Sequence, residues 1–86
     1  MSDAIVSCGT VDSSDLRVTL SAGKPGIVVR SLVHGLGDDE VQAWLLEQCP
    51  IALRERFAVA VIYNGACEPV VRARFAAAAR LAPEPA

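Results

Sequence analysis

Seven consecutive residues, Phe57 to Tyr63 (FAVAVIY), carry no charge, and the Tyr63 hydroxyl is their only hydrogen-bonding side-chain group. How this run is buried decides the fold. As the end of a helix begun at Pro50 it fails. Arg54, Glu55 and Arg56 would point in three directions about 100° apart, and the last two turns would be apolar all round. A chain of 86 residues has too little body to surround such a helix. As a strand, Phe57, Val59, Val61 and Tyr63 take one face while Ala58, Ala60 and Ile62 take the other. The run therefore predicts an interior strand over 57–63 with a helix close against one face, after a helical turn or loop over 51–56. The competing arrangement is a β-hairpin followed by three helices.

Elsewhere the punctuation is clear. Ala4 to Cys8 reads as a short strand closed by Gly9, and "DLRVTL" alternates Leu16, Val18 and Leu20 against Arg17 and Thr19. "SAGKPG" is a turn, and "GIVVRSLV" is rich in β-branched residues, so 15–33 reads as a hairpin with Lys24 at its tip. Asp38, Asp39 and Glu40 suit the positive end of a helix dipole, and the helix they open stops at Cys49-Pro50. On it Val41, Leu45 and Cys49 form the central stripe, with Trp44 and Leu46 on its margins. After Asn64-Gly65, a last helix starts at Glu68-Pro69 and turns Val71, Phe75, Ala78 and Ala79 to the core.

The expected fold is thus α+β. A small, mostly antiparallel sheet of three to four strands (about 4–8, 15–20, 26–33 and 57–63) is covered by two helices (about 38–48 and 68–81). Residues 1–81 make a single small domain and 82–86 a disordered tail.

Catalytic signatures are thin. Cys8, His34, Cys49 and Cys67 are the soft ligands, but structural zinc sites use closely spaced pairs, and none occurs here. Neither a metal nor a cofactor is expected. His34 could serve one of the cysteines as a base, so a small regulator or enzyme using Cys/His chemistry around His34 is the alternative function. No acid is placed to orient that histidine. "GLGDDE" precedes a helix, but its three carboxylates would repel a phosphate.

The stronger functional signal is an apolar surplus. Of the residues 52 % are apolar and mean hydropathy is +0.37, more than so small a body hides. The apolar arc around Val41 and Leu45 spans about 200°, leaving Trp44 and Leu46 as contact residues. Arg72 and Arg80 line one row of the last helix, with Arg74 on its other flank. Charge divides along the chain: residues 1–49 hold three cations against seven acids, a net of −4, and 50–86 hold five against three, a net of +2. These features predict a non-catalytic cytoplasmic module that binds protein: an accessory subunit, assembly factor or homo-oligomer. The interaction residues would be Trp44, Leu46, Arg72 and Arg80. Nucleic acid is not an expected partner, since net charge is −2 and aromatic interleaving is absent. No stretch is long enough for a membrane span, and the start lacks the basic and apolar regions of a secretory signal.

Overall fold

A computed structural model describes residues 4–83. In chain order the elements are β1 (Ala4–Gly9), β2 (Asp15–Ser21), β3 (Gly26–Ser31), α1 (Asp38–Gln48), α2 (Ile51–Arg56), β4 (Ala58–Asn64) and α3 (Glu68–Leu81). The fold is α+β, with four strands in the order β1-β2-β4-β3. β1 pairs antiparallel with β2, β2 antiparallel with β4, and β3 parallel with β4.

The apolar run is an interior strand. β4 lies between β2 and β3, and its large residues Val59, Val61 and Tyr63 are buried. They meet Leu16, Val18 and Leu20 of β2 beneath α1 and α3, where Val41, Leu45, Val71 and Phe75 complete the core. Ala58, Ala60 and Ile62 face away from the helices, where Ala60 is exposed. Helices therefore cover one face of the sheet and leave the other open.

The expected 15–33 hairpin does not form. β2 and β3 never pair; β4 is inserted between them. The short turn governs only how far apart those two strands start. β4, apolar on both faces, gains more from the central slot than either neighbour would. The true hairpin is β1–β2, closed by residues 10–14. Parallel β3 and β4 then require a crossover, and α1 with α2 supplies it.

Other boundaries fall close to expectation. β3 stops at Ser31, two residues early, where the Ser31 N–H donates to Asp38 Oδ1 at 2.8 Å and ties the strand end to α1. Residues 51–56 form a full short helix. Ala79, placed in the core by periodicity, is exposed, because an alanine run has no bulk to fix its stripe. Of the expected tail, 84–86 lie outside the described residues, while the Pro83 carbonyl accepts a hydrogen bond from Arg56 at 2.7 Å. Among the described residues no helix is long and apolar enough to cross a membrane.

Candidate functional site

The most elaborately built surface feature is the β1–β2 turn. Asp12 to Asp15 close a β-turn, the Asp15 N–H donating to the Asp12 carbonyl at 3.2 Å. Ser14, third in the turn, has φ of +66°, and its N–H donates to the Asn64 carbonyl at 2.7 Å. Asn64 Nδ2 returns a bond to the Val11 carbonyl at 2.9 Å, so both arms of the loop are tied to the end of β4.

Asp15 is the hub. Its carboxylate accepts from the Thr10 hydroxyl at 2.7 Å, the Thr10 N–H at 3.2 Å and the Leu16 N–H at 2.7 Å. Arg74 of α3 forks onto the same carboxylate from above. These donors, Arg74 foremost and Thr10 next, hold the Asp15 carboxyl well below the usual carboxylate range. Gly9 makes room for the fork. With φ of +90°, a Cβ there would lie 2.0 Å from the Leu16 carbonyl oxygen and 3.0 Å from Arg74 Nε.

This frame presents Ser13 and Ser14 to solvent, both exposed. Ser13 is the corner of the turn. Neither its hydroxyl nor that of Ser14 is hydrogen-bonded among the described residues, whereas Thr10, Asp15 and Asn64 beside them all are. The site offers a free primary hydroxyl on a turn whose flanking residues Val11 and Ser14 are bonded to the end of β4.

The residues singled out by sequence are scattered. Trp44 is half-buried, its ring edge-on to Tyr63 with centroids 5.9 Å apart. Leu46 is exposed on the opposite margin of α1. Arg72 pairs with Glu68 at 2.6 Å and reaches toward Gln48, while Arg80 stands exposed two turns on. Arg74 is not part of a solvated row at all, because it serves Asp15. His34 sits exposed in the loop before α1, and Cys8 is buried in β1. Burial pushes the Cys49 thiol up to about 11, and Cys67 is exposed just before α3. Among the described residues no three His, Cys, Asp or Glu side chains stand together as metal ligands.

The sequence reading passed over Gly9, Ser13, Ser14, Asp15, Asn64 and Arg74. The signal available was "GTVDSSD", a run of turn residues between two strands.

Comparison with curated proteins and with solved structures finds no match. One family model does match, over residues 3–82: ACP, malonate decarboxylase delta subunit (MdcD). The chain belongs to this family.

Proposed function

We propose that this malonate decarboxylase delta subunit is the non-catalytic acyl carrier of a cytoplasmic decarboxylase complex. Its Ser13 hydroxyl would be the attachment point of the carrier arm. The family description reads "ACP", and an acyl carrier holds its cargo as a thioester on the thiol at the end of a covalent arm. The observation that carries the assignment is the turn at Ser13, where a free, exposed hydroxyl is mounted on a backbone fixed by Asp15, Arg74 and Asn64.

The residues present suit such an arm. Ser13 is exposed at the second position of the turn. Ser14 is a poorer anchor, because its backbone is bonded to β4 and held at positive φ. Asp15 and Arg74 do not touch the arm in this reading; they hold the corner still while partner subunits approach it. Catalysis belongs to those partners in this reading. The two margins of α1 at Trp44 and Leu46, and Arg72 and Arg80 on α3, are the separate positions this reading gives to partner contact. A second copy of the chain is the competing occupant there, and the mass of the native complex separates the two.

Peptide mass measurement on the protein from its native complex tests the reading. The expected result is an added mass on the peptide holding Ser13, lost in Ser13→Ala and kept in Ser14→Ala. A mass on Cys67, or none in a chain co-purifying with no other subunit, overturns it.

A further inference from the structure

We propose that the open face of the sheet binds the carried acyl thioester, with Lys24 taking the free carboxylate of a malonyl-type group. The inference rests on the carrier reading and adds a noncovalent resting place to it.

Strand register lays the face out in rows. Arg17, Ile62 and Arg30 stand side by side nearest Ser13; Thr19, Ala60 and Val28 form the next row; Ser21, Ala58 and Gly26 form the last. Side-chain bulk falls along β4 from Ile62 to the two alanines, so the floor deepens away from Ser13. The loop between β2 and β3 walls its far end, for a Cβ on Gly23 would lie 3.6 Å from the Ala58 Cβ. A cavity of about 310 Å³ results, with Ser21, Lys24, Pro25, Val28, Ala58 and Ala60 among its lining.

Charge points to the occupant. Residues 1–49 hold only three cations, Arg17, Lys24 and Arg30, against seven acids. All three cations gather on this face: two on strand positions and Lys24 at the cavity. None of them is in an ion pair among the described residues. Between Asp15 and the cavity no strand position on this face is acidic, while Asp38, Asp39, Glu40 and Glu47 lie on α1 in the helix layer. A small apolar niche with a lone ammonium group suits a short acyl chain ending in a carboxylate. A neutral acyl group fills the niche but leaves Lys24 unpartnered, so the site distinguishes a dicarboxylic thioester from its decarboxylated product. Distance agrees. From Asp15 to Thr19, whose row with Ala60 and Val28 opens the cavity, is about 13 Å at ~3.3 Å per residue. A pantetheine-type arm of about fifteen chain bonds, as many as five extended residues, reaches ~17 Å.

The test uses the full chain without an arm and supplies the ligand in trans. Backbone amide spectra are recorded on adding malonyl-pantetheine, acetyl-pantetheine or pantetheine. Saturable shifts are expected at Gly26, Val28, Ala58 and Ala60, strongest affinity going to the malonyl form. Lys24→Gln should weaken malonyl binding about fivefold or more, to the acetyl level, and leave acetyl binding unchanged. Ala60→Leu should remove both while the spectrum stays that of a folded chain. Shifts elsewhere, no shifts, or an indifferent Lys24→Gln overturn the proposal. So does a face whose amides respond only to an added partner subunit. Because the ligand is not attached to Ser13, this outcome is independent of where the arm is found. An arm on Ser13 with no binding in trans sinks only this inference, and binding without an arm sinks only the carrier reading.

Discussion

Arg74 grips Asp15 with two nitrogens, Nε to Oδ1 at 3.0 Å and Nη2 to Oδ2 at 2.9 Å, across 59 residues of sequence. The pair locks α3 to the β1–β2 turn, adding to the two hydrogen bonds that tie the turn to Asn64 of β4. Arg74→Ala should lower the thermal midpoint by a few degrees and broaden the Ser13 and Ser14 amide signals, and Arg74→Lys should repair little, because an ammonium cannot fork. The pH dependence has a definite sign. Asp15 is more acidic folded than unfolded, so its contribution is full above the unfolded carboxylate pKa of about 4. It is lost as pH falls below that value toward the depressed folded one. Acid titration of stability should therefore show a steeper fall below about pH 4 in the natural chain than in Arg74→Ala. Parallel curves would mean that the fork adds nothing in solution.

Gly9 and Gly35 make a matched pair. Both have left-handed φ, +90° and +81°, yet a Cβ at Gly35 meets nothing within 4 Å while one at Gly9 strikes the Leu16 carbonyl. Gly35→Ala should cost about 1 kcal/mol, the strain of the backbone conformation alone. Gly9→Ala should cost about 3 kcal/mol or more and disturb Asp15 and Arg74 as well. Urea midpoints of the two variants measure the difference, and equal losses would show the turn able to relax around a methyl group.

What was legible follows from where the information lies. The alternation of large and small residues in 57–63 specifies an interior strand, because both faces of it must find apolar neighbours. Helices at 38–48 and 68–81 are marked by acidic first turns, a proline start and proline stops. Strand order was not legible. Which strand sits beside β2 depends on competition between β3 and β4 for one slot, and the four-residue loop after β2, residues 22–25, carries no trace of the winner. The turn at Ser13 was hidden for a different reason. Its polar groups look like ordinary loop until Arg74 arrives, and Arg74 looked like one more solvated arginine.

The three thiols should separate cleanly by reactivity. Cys67 is exposed, whereas Cys8 and Cys49 are buried, with the Cys49 thiol pushed up to about 11 by burial. At pH 8 a thiol reagent should modify Cys67 fast and the other two only as the protein unfolds. Cys67→Ser should remove the fast phase entirely. A fast phase surviving in that variant would mean that β1 or the end of α1 opens readily.

Contact with a partner should separate from folding on α1. Leu45 is fully buried, so Leu45→Ala should cost about 2–5 kcal/mol of stability. Trp44 is half-buried, and its ring meets Tyr63 edge-on, a contact worth about 0.5–1.5 kcal/mol beyond the area it covers. Trp44→Ala should therefore cost less in folding than Leu45→Ala. If its exposed edge is an interface anchor, association with partner subunits should weaken by about 2 kcal/mol or more. Arg72 and Arg80 should behave differently again. Both are exposed, and Arg72 is already paired with Glu68, so replacing both with alanine should leave the thermal midpoint nearly unchanged. The double variant should slow association with an acidic partner, and added salt should slow the natural chain to the same rate. Measuring midpoint and binding on the same samples resolves all three classes. If Trp44→Ala unfolds the chain as badly as Leu45→Ala, the tryptophan is core, and partner contact has to be sought around the Ser13 turn instead.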